Sequence, residues 1–121
     1  MSKGAFNRQT KIAAFRRDDE SCAKCRRGLT FARAQFHHRA ARGAGGTRLA
    51  AVGYASNCLT LCHECHAWVE SHRALAEIQG FLVRKPTEPH TVPGKHATWG
   101  WVRLNINATI TMHDRGDEDD A

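Results

Sequence analysis

The amino-acid sequence predicts a small α+β fold drawn together by a metal ion. Three observations carry this. Two Cys-x-x-Cys pairs, Cys22/Cys25 and Cys62/Cys65, are separated by thirty-six residues; short apolar stretches of strand length precede the second pair and recur near the C-terminus; and a helix-forming run spans Cys65 to Ile78, ended by Gly80. At 121 residues the chain builds only a modest core, so a metal staple adds stability that apolar burial alone does not supply.

The elements follow in order. Phe6, Ile12, Ala13, Ala14 and Phe15 stand among basic residues, which fits a short amphipathic N-terminal helix or an arm that orders on DNA, the helix being the reading preferred. Asp18, Asp19, Glu20 and Ser21 read as a polar break before the first cysteine pair, and Arg26, Arg27 and Gly28 as turn material after it. Large apolar side chains at Leu29, Phe31 and Phe36 predict a strand running into His37, His38 and Arg39. Four glycines between Ala40 and Ser56 predict a loop. Leu59 and Leu61 then lead into the second cysteine pair and the helix. Phe81, Leu82 and Val83 read as a short strand, prolines 86, 89 and 93 as a loop, and Trp99 to Met112 as a C-terminal β-hairpin turning at Asn105 to Ala108. The domain is expected over 1–113, with 114–121 an acidic disordered tail.

The formal net charge of +6 hides an asymmetry. The last eight residues carry five acids and one arginine, which leaves +10 on the body. A body this basic suits a polyanion, because Lys and Arg that neutralise phosphates release condensed counterions. No stretch resembles a signal core or a membrane span, so a cytoplasmic location without membrane attachment is expected.

Five cysteines is an odd number, and a reducing cytosol disfavours a disulfide framework. Each Cys-x-x-Cys turn can aim two sulfurs at one ion, and four thiolates complete zinc's tetrahedral shell at about 2.3 Å, leaving no position for water. Cys22, Cys25, Cys62 and Cys65 therefore read as ligands of a structural Zn²⁺. Cys58, left over, reads as a small buried hydrophobe.

The remaining chemistry-bearing residues are His37 and His38 at the strand end, Asn57 after the loop, and His66 directly after the last cysteine. Taken singly, each residue type is commonly structural. Taken together, Phe36-His37-His38-Arg39, the glycine-rich loop, and the run from Ser56 to His66 resemble the HNH endonuclease family, in its zinc-containing branch with two Cys-x-x-Cys knuckles. The likeness covers about Cys22 to His72. The sequence His37-His38-Arg39 followed by Arg42 to Gly46 is also similar to small phage-encoded members.

The resemblance implies a ββα-metal core, a two-stranded hairpin followed by a helix, that clasps one catalytic divalent ion. It implies His38 as general base, His37 and His66 as metal ligands, and Asn57 as the residue that ties the hairpin loop and orients the base. An imidazole with pKa near about 6.5 suits the first task, provided its other nitrogen is held. Two imidazole ligands admit Mn²⁺, Ni²⁺, Co²⁺ or Zn²⁺ as well as Mg²⁺. Family members commonly add a contact from the following helix. Glu70, four residues on, shares the face of His66, whereas His72 does not; an ordinary exposed glutamate is the alternative. Arg39 and Arg42 flank the site, and Arg26, Arg27, Arg33 and Arg48 could line an approach to it; some of these, not singled out by sequence, should contact phosphates.

The activity implied is hydrolysis, by nicking or cutting, of DNA phosphodiester bonds by a monomer or weak dimer; a monomer with one site would nick one strand at a time, and double-strand cleavage would need two visits or a dimer. For a phage-encoded protein it implies work in the host cytoplasm, beside a terminase in genome packaging, or in restriction or homing. The rival reading is a non-catalytic zinc-ribbon DNA-binding module. Both predict zinc and salt-sensitive DNA binding.

Overall fold

The computed structural model describes residues 5–41 and 53–113, and among them the chain is α+β with small antiparallel sheets. The expected glycine-rich loop falls mostly, and the acidic tail wholly, outside the described residues, as do Arg42 and Arg48.

Helix α1 (Arg8–Arg17) begins where the Asn7 side chain accepts from the Thr10 N–H, at 2.8 Å, and so satisfies one of the orphan amides of its first turn. Strand β1 (Gln35–His38) pairs antiparallel with β2 (Cys58–Leu61), with His37 opposite Leu59 and His38 opposite Cys58. Helix α2 (His63–Ser71) follows immediately and α3 (Arg73–Ile78) after it. A second sheet orders β3 (Gly94–His96), β4 (Gly100–Leu104) and β5 (Ile110–Met112) as consecutive antiparallel neighbours.

All four residues of β2 are buried, and strand alternation divides them between two faces. Leu59 and Leu61 join Val69, Ala76, Phe81, Leu82, Val102, Leu104 and the cysteine-knuckle residues Cys22, Ala23 and Cys62 in the main core. Cys58 packs on the other side with Phe6, Ala14 and Phe36, under α1. Burial pushes its thiol up to about 12, so it remains a neutral small hydrophobe.

Several elements differ from the sequence expectation. The first strand is shorter, because the Thr30 carbonyl accepts from Arg33 and Ala34 and winds residues 31–33 into a turn before β1 begins. The predicted single helix is two, divided at His72, whose backbone (φ −128°, ψ 53°) leaves the helical region and whose ring stacks on Trp68 with centroids 4.7 Å apart. The change of direction buries Ala76 of α3 in the main core. Phe81, Leu82 and Val83 are not a strand. All three are buried, without alternation, and their amides bond to the carbonyls of Ala76 and Arg39 instead of a neighbouring strand. Gly80, at φ +80°, makes this turn possible, since a Cβ there would collide with the Pro93 carbonyl. Strand β3, after Pro93, was hidden in what reads as a proline-rich loop.

Two buried polar cages hold these layers. Asp18, expected in a polar break, is fully buried and accepts from Arg17 Nε and Nη2 (2.9 and 2.8 Å), His96 Nε2 (2.9 Å) and the Thr60 amide (3.0 Å). Burial would raise this carboxyl, but the charges and hydrogen bonds of Arg17 and His96 hold it at about 2. The network thereby joins α1, β2 and β3. Arg39, expected to flank the site among arginines of which some meet phosphate, is 1% exposed. Its guanidinium donates to the carbonyls of Gly80 (2.9 Å), Ser56 and Pro89 (both 3.0 Å) and Val92 (2.7 Å). Arg39 is a structural tie between four segments, not a phosphate contact.

Candidate metal centres

The two knuckle turns converge. Cys22 and Cys25 lie between α1 and β1, Cys62 caps the N-terminus of α2, and Cys65 lies in that helix's first turn. All four sulfurs lie within 4.8 Å of one another. Cys25 Sγ and Cys62 Sγ are 3.9 Å apart. A disulfide needs about 2.05 Å, whereas a regular tetrahedron with bonds of about 2.3 Å separates its sulfurs by about 3.8 Å. The spacing therefore suits a shared ion. Amides of Cys25 and Cys65 point at Cys22 Sγ and Cys62 Sγ, at 3.5 and 3.4 Å, as donors that support thiolate charge. Burial, together with the neighbouring Cys62, Cys22 and Cys25, pushes the Cys65 thiol up. The four converging sulfurs could hold a structural metal such as zinc.

A second group forms where β1 meets α2. His37, His66 and Glu70 offer ligand atoms within 4.8 Å of one another. Helical spacing sets His66 and Glu70 on one face, and strand pairing brings His37 to it. The two imidazole rings lie 5.1 Å apart between centroids. His37 Nε2 donates to the Phe81 carbonyl at 2.8 Å, which leaves Nδ1 with its lone pair. His66 Nδ1 donates to Gln35 Oε1 at 2.6 Å, which leaves Nε2 with its own. Burial lowers His37 to about 4, against the raising effect of the Phe81 bond and with further lowering from His66, His38 and Arg39. His37 is thus neutral at pH 7, the state in which imidazole ligates metals. Glu70 is exposed and pairs with Arg73 Nη1 at 2.8 Å. Among His and carboxylate donors this group is open, since three protein ligands leave positions for water or an anion.

His38 does not join that group. Alternation sends its side chain to the other face of β1, where the ring stacks on Phe6 at 3.9 Å with planes 11° apart. It is half-buried. Asn57 is fully buried and pins the strand ends together: Oδ1 accepts from the Ala40 amide at 2.6 Å and Nδ2 donates to the Ala40 carbonyl at 3.0 Å. His72 stays on Trp68, away from the group.

A groove beside Glu70 is lined by Arg73, Arg84, Lys85, Glu77, Leu82 and Val83. Arg26, Arg27 and Arg33 are exposed elsewhere. Sequence reading missed Arg73, Arg84 and Lys85, because nothing in their local pattern distinguishes them from ordinary surface cations. It also missed Gln35, whose spacing two residues before His37 puts it on the same strand face. Among the described residues no helix is long and apolar enough to cross a membrane. No family model matches the chain, and no curated protein or solved structure matches it at a significant level.

Proposed function

We propose that this chain is a divalent-metal-dependent HNH endonuclease that hydrolyses DNA phosphodiester bonds, with the Cys22/Cys25/Cys62/Cys65 cluster as a structural zinc site. The observation that carries the proposal is the meeting of His37, His66 and Glu70 at the junction of a hairpin and a helix, with both imidazoles turned so that a lone pair is available. Mg²⁺, Mn²⁺, Ni²⁺ or Zn²⁺ bound there would supply positive charge against the scissile phosphate and the leaving 3′ oxygen.

The chain's own residues do the rest. His37 and His66 contribute neutral nitrogens and Glu70 one negative charge, so the site keeps a cationic balance that favours phosphate. His38, next to His37 in β1, is the general base of this reading and takes a proton from water on an imidazole nitrogen. Phe6 fixes its ring plane, and the two bonds between Asn57 and Ala40 hold the strand end from which it projects. Arg73, Arg84 and Lys85 form a basic groove along which a nucleic-acid backbone approaches. A terminase partner, in a phage setting, rests on the sequence likeness alone.

The test uses supercoiled plasmid with each cation added after EDTA, and compares the parent with His38→Ala and His37→Ala at equal zinc content. Metal-dependent nicking that falls at least about 100-fold in both variants supports the reading. The second reading, a zinc-ribbon module that binds DNA without cutting it, draws on the position of His38, stacked on Phe6 away from His37. DNA binding without cutting by any of the three proteins would establish it.

A further inference from the structure

We infer that Gln35 is a positioning residue that selects the metal-binding tautomer of His66. The inference rests on the reading of His37, His66 and Glu70 as a cation site, and not on nuclease activity. Gln35 opens β1 and pairs with Leu61, so its side chain shares the strand face of His37 and reaches α2. Its Oε1 lies 2.6 Å from His66 Nδ1, and its Nε2 lies 3.1 Å from His63 Nδ1.

Hydrogen-bond roles fix the rest. A carboxamide oxygen only accepts, so His66 Nδ1 carries the proton and Nε2 the lone pair. A carboxamide nitrogen only donates, so His63 Nδ1 is the acceptor in that pair. One amide therefore meets two histidines at once, its oxygen on His66 and its nitrogen on His63. Rotating the amide by half a turn would face an N–H₂ group to His66 Nδ1 and favour the proton on Nε2, the nitrogen that should meet the cation.

Histidine in water favours the Nε2–H form, so the ring needs an acceptor at Nδ1 to present Nε2. His37 meets the converse need through the Phe81 carbonyl. The two ligands are thus set by different devices, one by an invariable backbone carbonyl and one by a replaceable side chain. Only the second is open to mutation without disturbing the chain path. Partners that fix a ligand's tautomer are commonly worth about 10–100-fold in metal affinity.

The test is nitrogen-15 NMR of histidine-labelled protein, zinc-loaded at the cysteine cluster and free of a second cation, followed by calorimetric titration with Mn²⁺ and Ni²⁺. The parent should show His66 protonated at Nδ1. Gln35→Leu should shift it toward Nε2–H and weaken the second cation about 10–100-fold, whereas Gln35→Glu, which keeps the acceptor, should hold the parent's tautomer and affinity. His66 found as Nε2–H in the parent overturns the inference whether or not any variant folds, and so does Gln35→Leu binding with parental affinity. If the parent binds no second cation while Gln35→Leu still switches the His66 tautomer, the metal reading falls and the positioning role of Gln35 stands.

Discussion

The two donor clusters sit at opposite ends of one short connection, Cys62 to Glu70, yet they differ in almost every physical respect. The cysteine cluster gathers four sulfurs within 4.8 Å of one another, a spacing that suits one shared cation. It is closed, drawn from two turns far apart in sequence, and packed into the main core through Cys22 and Cys62. The His37, His66 and Glu70 cluster gathers rings already hydrogen-bonded on their far side and a carboxylate shared with Arg73. It is half-open, and its members need no cation in order to pack. The difference teaches that a metal held by the first cluster would couple its affinity to folding, whereas the second has its donors set in place by the fold itself.

The largest effect should come from breaking the closed cluster. Cys62→Ser should abolish stoichiometric zinc and with it the cooperative thermal transition, because the residue both ligates and caps α2; zinc analysis with circular dichroism checks this. Retention of a sharp transition without zinc would make the cysteine cluster dispensable and erase the contrast.

Next comes the cage that positions the open cluster. Arg39→Lys keeps the charge but cannot satisfy the carbonyls of Gly80, Ser56, Pro89 and Val92 together, and should cost at least about 3 kcal/mol in urea unfolding while zinc content stays whole. Equal stability would mean that the carbonyls find water and that the cage is not what supports β1.

The smallest effect is in pH. His37 is lowered from about 6.5 to about 4, so the unfolded chain binds more protons across that window and stability falls as pH drops from 6.5 toward 4. Asp18 is depressed from 3.8 to about 2, so its contribution is present above pH 4 and is lost as pH falls toward 2. Acid titration of stability should show the two limbs in that order, with His37→Gln flattening only the upper one. An unchanged upper limb would assign it to another group.

Both donor sets were legible in the sequence to different depths. The cysteine pairs declare themselves because ligand type and spacing are local properties of a Cys-x-x-Cys turn. Glu70 was legible as a helical neighbour of His66, since an i, i+4 relation needs only a helix. That it meets His37 depends on how β1 lies against α2, which no local pattern encodes.

What the sequence by itself determined is the chemistry available: two soft-ligand turns, a histidine pair at a strand end, a basic body and the helix and hairpin around them. Those follow from residue type, charge and short-range periodicity. What only the tertiary structure decided is which polar residues serve the frame and which the site. Asp18 and Arg39 look like solvated charges in sequence and are buried, because, apart from Arg17 beside Asp18, their partners are forty or more residues away along the chain or are main-chain carbonyls that carry no side-chain signature. His37 and His38 look equivalent as neighbours, and the pleat of a single strand sends one to a cluster of donors and the other against Phe6.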